Sequence, residues 1–448
     1  MSMSLKEIQL YDTFVYDKYE IYYTDELLKL EFYYEIVGLK KFVHRLEIPI
    51  SNKNINKEYV SKLVFNIGLL ELISYWKATM APNLVINCGN IDDEQKEFFK
   101  KIYFHGLGEF FYLNGINPDY DSFINFKCLG NSKDIDVEYD GKGSLVAIGG
   151  GKDSCVTLSL YKKEKTDCFI INPKPVMLEC AYQAGYNDEN ICAVRRILDK
   201  GIIELNNQGY LNGHTPFSAM VAFVSYLTAY LNNKEKIVLS NENSANESNV
   251  LGTKINHQYS KSYEFERDFQ EYALKYLGNG IKYYSFLRPL TEYQIGLLFS
   301  KYNKFHNVFK SCNVGSKSEI WKWCCNCAKC MFVYSLLSPH LYKDELVSIF
   351  GEDMFEKKEM LQVFKELLGK ENVKPFDCVG TFNEVNYAIT KTIKRLDGRD
   401  LPYLLKYYKD NYYDETILKL DLEHSFNDEN SLDEDDIKII KDAIFNDR

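Results

Sequence analysis

The sequence predicts an α/β fold, a parallel sheet flanked by helices, and three observations lead to it. Short apolar runs alternate with helical stretches through the middle third of the chain. Two of those runs end in glycine-rich or polar segments, as strands of a parallel sheet do at their ligand-binding edge. Apolar residues make up 46% and aromatic residues 15% of the 448 positions, which suits a buried core and not a disordered chain.

Residues 1–135 read as an α+β unit of their own. Phe14-Val15-Tyr16, Glu20-Ile21-Tyr22-Tyr23, Leu30 to Tyr34 and Arg45 to Ile50 are β-rich, and breaks at Thr24-Asp25-Glu26 and Gly38-Leu39-Lys40 predict an antiparallel meander. From Lys57 to about Asn114 the apolar spacing turns helical, with a helix-start signal at Asp92-Asp93-Glu94. This unit carries no phosphate loop or metal pattern, so a scaffold or cap is expected, with substrate recognition as the alternative. Residues 136–340 form the central unit, with strands at Ser144–Ile148, Asp167–Asn172 and Lys236–Ser240 and helices at Ser154–Lys163 and 215–231. Residues 341–448 read as a helical region, with an acidic solvated loop from Asn427 to Asp436.

The formal net charge of -10 opposes nucleic-acid binding through a broad basic surface, and a small anionic substrate needs a local basic pocket. Met1 to Tyr11 has no secretory pattern. The most apolar stretch, Thr215 to Leu231, is interrupted by Ser218, Ser225 and Thr228 and reads as a buried helix, not a membrane span. A cytoplasmic enzyme is expected, its 12 cysteines reduced or bound to metal.

Gly149-Gly150-Gly151-Lys152-Asp153-Ser154 lies between a strand and a helix. The glycines let the backbone approach an anion and take positive φ, and the N–H groups of a helix start favour phosphate. Lys152 is expected to neutralise phosphate, Asp153 to hold Mg²⁺ or cap the helix, and Ser154 to offer a hydroxyl. The spacing is neither that of a Walker A loop nor that of a dinucleotide fingerprint.

A second polar segment, Ser240 to Asn249, follows the strand Lys236–Ser240. Ser240, Asn241, Asn243 and Asn246 are candidate nucleotide contacts, and Glu242 and Glu247 can bind Mg²⁺ or take a proton. Arg288 can reach a phosphate or carboxylate bidentately, with an ion pair as the alternative. Cys324, Cys327 and Cys330 form a Cys-x2-Cys-x2-Cys run with Cys312 upstream, a donor set for tetrahedral Zn²⁺. Its alternatives are reduced cysteines packed around Trp321 and Trp323, or a thiolate acting as acid or base.

The loop resembles the pyrophosphate loop (PP-loop) of the N-type ATP pyrophosphatases, Ser-Gly-Gly-x-Asp-Ser, with Gly149 in place of Ser. Together with Leu239 to Glu247, Trp323 to Tyr334 and the β-rich start, it resembles the UDP-N-acetylmuramoyl-L-alanyl-L-glutamate epimerase (MurL) family. Cys325 stands where the family pattern has Gly, and Ala328 where it has Pro. The resemblance implies an adenine nucleotide alpha hydrolase-like fold, with ATP, Mg²⁺ and a UDP-linked muramoyl dipeptide as ligands. It further implies adenylation of the terminal glutamyl carboxylate, which acidifies Cα–H so that a base can remove it. His214, Glu242, Glu247 and a cysteine are the candidate bases. Competing expectations are a carboxylate-adenylating enzyme of the 7-cyano-7-deazaguanine synthase type, tRNA thiolation, and a non-catalytic ATP-binding module.

Overall fold

The computed structural model describes residues 5–446 except 9, 132–134, 136, 251, 252, 254, 313, 316–321 and 398, with backbone alone at 5, 6, 245 and 246. Trp321 and the side chain of Asn246 therefore lie outside the described residues.

The meander forms as its period-two pattern predicts. β1 (Thr13–Tyr23), β2 (Leu27–Ile36) and β3 (Lys40–Pro49) pair antiparallel, and Phe14, Tyr16, Leu28, Leu30, Phe32, Tyr34, Phe42 and Leu46 turn one face into a core. Gly38 takes φ +77° at the second turn. That face is covered by helix α1 (Lys57–Glu71), capped by Asn56, whose side chain accepts from the backbone of Glu58 and Tyr59. Asp92 opens α2 (Asp93–Gly106) with a capping box to Gln95.

The helical reading of 57–114 misses one strand. β4 (Asn83–Ile86) lies parallel beside β1, and β5 (Asn125–Cys128) extends the edge. Pro82 precedes β4; it lacks an N–H and cannot continue a helix.

The central unit supplies β6 (Ser144–Ala147), β7 (Thr166–Ile171), β8 (Ile191–Ile197), β9 (Lys236–Leu239) and β10 (Lys282–Ser285), all parallel to their neighbours within this half. The order across the whole sheet is β10-β9-β6-β7-β8-β3-β2-β1-β4-β5. The order in which strands are added across the parallel half therefore reverses between β6 and β9, and such a switch point opens a crevice at the strands' carboxyl ends.

β8, unanticipated from the sequence, joins the two halves. Arg45, Leu46 and Glu47 of β3 pair antiparallel with Ile197, Arg196 and Arg195. The Arg196 guanidinium clamps Glu71 at 2.6–3.0 Å and Ser74 at 2.8 Å. Burial opposes the Glu71 charge, but Arg196 and His44 outweigh it and hold the carboxyl below its ordinary range. The expected boundary at 135/136 falls between β5 and β6, yet a single ten-stranded sheet crosses it.

Helix α5 (Phe217–Leu231) is buried on nearly all sides, as expected of its composition, and Tyr230 packs edge-on to Tyr59 of α1. No helix among the described residues is long and apolar enough to cross a membrane. The C-terminal region is helical. Its acidic stretch, expected to be solvated, instead docks: Asp433 pairs with Lys236 at 2.7 Å, and buried Asp436 accepts from Tyr284 at 2.7 Å and pairs with Lys163 at 2.5 Å. These partners flank the β9–β10 edge.

Candidate functional site

A cavity of about 560 Å³ opens at the switch point. β6 ends in the glycine loop, and α4 (Lys152–Leu160) begins immediately after it. Gly151 is the N-cap and provides no side-chain cap, so the helix start faces the cavity with its positive dipole end. Gly150 takes φ +77°, and its carbonyl accepts from the Lys310 backbone at 2.9 Å. Gly149, Gly151, Asp153 and Ser154 line the cavity; the Ser154 hydroxyl is turned to the Gly151 carbonyl at 3.0 Å.

Gly149 is the departure from the pyrophosphate-loop pattern, and the loop has room for a serine there. A Cβ there would meet no atom within 4 Å. Gly149→Ser is therefore expected to shift stability by no more than about 0.5 kcal/mol, measured by urea unfolding. Gly150→Ala, in the left-handed region and crowded by Met177 and Val176 at 3.3 Å, is expected to cost more.

Lys152 does not face the cavity as expected. Its ammonium is fully buried and paired with Asp153 and with Glu292, the first residue of α6 (Glu292–Ser300). Burial alone would weaken that charge; the carboxylates of Asp153, Glu292 and Glu242 overcome it and raise the Lys152 pKa. Burial, with Asp153 and Glu242 nearby, pushes Glu292 up to about 8 despite Lys152. Carboxylate oxygens of Asp153, Glu242 and Glu292 lie within 4.8 Å of one another, and Asp153 and Glu242 face the cavity. Those two carboxylates suit a Mg²⁺ that keeps part of its water shell.

The cationic side chains on the cavity are instead Lys174, Lys261, Lys310 and Lys329. Lys174 follows β7, so the carboxyl-end rule could have found it. Lys261 comes from a short turn after the polar segment and carries no local motif.

The polar segment divides. Ser240, Asn241 and Glu242 line the cavity, with Ser240 hydrogen-bonded to Thr157 at 2.8 Å and Asn241 to Ser285 at 3.0 Å. Asn243 accepts from Asn427, and Glu247 pairs with Lys374 at 2.5 Å; neither is on the cavity. Arg288 is also displaced from its expected role. It is completely buried, donates to the carbonyls of Glu242 and Lys261 at 2.7 Å, and pairs with Glu266 at 2.9 Å. It fixes the backbone beneath two cavity residues and has no reach to a ligand.

His214, Thr215, His257 and Cys378 also line the cavity. Glu109, on α3 (Gly108–Leu113), stands behind them. Its Oε2 lies 2.5 Å from His257 Nδ1 and 3.3 Å from His214 Nδ1. Burial, then the neighbouring His257, lowers His214 to about 4. For His257, burial is outweighed by hydrogen bonds to Cys378 and Glu109, which push it up to about 9. Cys378 is brought down to about 6, because Lys261 and His257 outweigh its burial. The thiol in the cavity thus comes from outside the Cys-rich run, and sequence spacing gives no sign of it.

The Cys312, Cys324, Cys327 and Cys330 sulfurs lie within 4.8 Å of one another, with separations of 3.4–3.5 Å for three of the pairs. Tetrahedral Zn–S bonds of about 2.3 Å separate sulfurs by roughly 3.8 Å, so small outward shifts admit the ion. Backbone N–H groups of Gly315 and Cys330 already point at Cys312 and Cys327 sulfurs at 3.1 and 3.4 Å. Cys325 turns away, 3.3 Å from the Phe350 carbonyl. Its φ is +52°, a backbone conformation that favours glycine. Ala328 is the first residue of α7 (Ala328–Leu337), where proline is favoured. The cluster brackets Ser311 and Lys329 and so anchors one side of the cavity.

The family model for the MurL N-terminal domain matches residues 6–286, and that for the MurL C-terminal domain matches residues 308–417. A UDP-N-acetyl-alpha-D-muramoyl-L-alanyl-L-glutamate epimerase of Xanthomonas oryzae pv. oryzae (strain MAFF 311018) is 32% identical over 81% of this chain and 81% of its own length. Enzymes of the same name from Micromonospora sp. (strain ATCC 39149) and Salinispora tropica are each 30% identical, covering 89% and 82% of this chain and 91% and 81% of their own lengths. No solved structure matches the chain.

Proposed function

The chain belongs to the MurL family, and from that premise we propose that it inverts the terminal L-glutamate of UDP-MurNAc-L-Ala-L-Glu after adenylating its α-carboxylate with ATP, for peptidoglycan precursor synthesis. One observation carries the reading: the glycine loop at the switch point and His214 face the same cavity. An anion site and a proton-accepting group so placed suit activation followed by deprotonation.

The helix start at Gly151, with Lys174, Lys261, Lys310 and Lys329, gives the phosphates a cationic surround within a chain of net charge -10. The glutamyl carboxylate attacks the α-phosphate and pyrophosphate leaves, as in the N-type ATP pyrophosphatases. Asp153 and Glu242 would hold Mg²⁺, which shields the phosphates. Cys312, Cys324, Cys327 and Cys330 would hold a structural Zn²⁺. Once the carboxylate is an acyl phosphate it no longer repels a developing carbanion, and neutral His214 takes the Cα proton. Return of a proton to the other face, then hydrolysis, yields the D-glutamyl product and AMP.

The test is pyrophosphate release and glutamate chirality with ATP, Mg²⁺ and the muramoyl dipeptide. Both signals are expected with this substrate, and no pyrophosphate with a carboxydeazaguanine. His214→Ala is expected to retain pyrophosphate release while inversion falls about 10²–10⁴-fold. Inversion at an unchanged rate would remove His214 from this role.

A further inference from the structure

Inversion at carbon needs proton-transfer groups on two opposite faces, and His214 supplies one. A row of ionisable groups leads from it to a second. Glu109 joins His214 Nδ1 and His257 Nδ1 through one carboxylate oxygen. His257 neighbours Cys378, and each favours the charged form of the other, while His257 Nδ1 is engaged by Glu109. Lys261 Nζ lies 3.2 Å from the same sulfur. The Cys378 carbonyl accepts from Lys329, which fixes the backbone there. Both ends of the row, His214 and Cys378, line the cavity.

We propose that Cys378 is the second catalytic residue of the inversion, delivering a proton to the face of Cα opposite His214, with His257 beside it as the source of that proton. The inference rests on the reading of the cavity as the site of glutamyl inversion.

The proton count closes. At rest the pair stands as a Cys378 thiolate and a His257 imidazolium, since their environments draw the two groups apart in opposite directions. His214, neutral through burial, takes the Cα proton, and the C–H electron pair enters the enolate of the acyl phosphate. His257 passes its proton to the Cys378 sulfur, and the resulting thiol gives it to Cα. His257 is then neutral and His214 an imidazolium. His214 gives its extra proton to solvent and His257 takes one back from solvent, which restores the starting state. No oxidant or reductant takes part.

The experiment uses the full chain with ATP, Mg²⁺ and UDP-MurNAc-L-Ala-L-Glu in D₂O, comparing the parent with Cys378→Ala and Cys378→Ser. For both variants, pyrophosphate release within about threefold of the parent is expected, with inversion reduced at least about 100-fold. Deuterium should still enter Cα of the L-substrate, because His214 takes and returns protons on its own face. Retained pyrophosphate release shows that the variants fold. D-product from Cys378→Ala at the parent rate would overturn the inference. So would loss of deuterium uptake together with inversion, since Cys378 would then serve the same face as the base. If the parent releases no pyrophosphate with the dipeptide, the adenylation reading falls first and takes this one with it.

Discussion

Lys152→Met is expected to destabilise the protein by about 3–5 kcal/mol and to abolish pyrophosphate release, the stability measured as a drop in the urea midpoint at unchanged slope. The cause is what the ammonium leaves behind. Lys152 is buried against Asp153 and Glu292, with the Glu242 carboxylate close by. Removing the cation strands like charges within 4.8 Å of one another at the start of two helices. Glu292 also has its backbone N–H held by Glu384 at 2.7 Å, so the disturbance reaches α8 (Phe382–Arg395), whose capping box Glu384 forms with Thr381. Lys152→Met combined with Glu292→Gln is expected to regain part of the loss, because it removes one of the crowded carboxyl groups. A single variant as stable as the parent would show that the cation is dispensable there.

Cys330→Ser should have the second largest effect. The parent is expected to carry one zinc per chain by elemental analysis, and the variant none. Pyrophosphate release should fall by about 10–100-fold, since the segments bearing Ser311 and Lys329 lose their common anchor. Cys325→Ser is the control: its sulfur faces the Phe350 carbonyl and not the cluster, so metal content should persist. A zinc-free Cys330→Ser protein with parental activity would overturn the anchoring role.

What the sequence revealed of this site follows from how local each signal is. The meander shows as alternation, the loop as contiguous glycines between a strand and a helix, and the cysteine set as short spacing. Each feature lies within a few residues. The His257, Lys261 and Cys378 group comes from two distant segments, and nothing in either of them marks it. Arg288 and Lys152 show the converse limit. A basic residue near a phosphate loop reads the same whether it turns to a ligand or inward to carboxylates, and here Glu266 and Glu292 draw both inward. β8 escaped detection because Arg195 and Arg196 interrupt its apolar pattern. Only the distant Glu71 makes Arg196 acceptable below the surface.

The β3–β8 pairing also sets an order of events during synthesis. When the first three strands leave the ribosome, β3 is an unpaired edge, and an unpaired edge invites pairing with other chains. Its partner and the arginine that neutralises Glu71 emerge only with residues 191–197. A protein truncated after the meander should therefore aggregate and not fold. The smallest autonomous piece must extend past β8, consistent with the 6–286 span over which the family's N-terminal domain is defined.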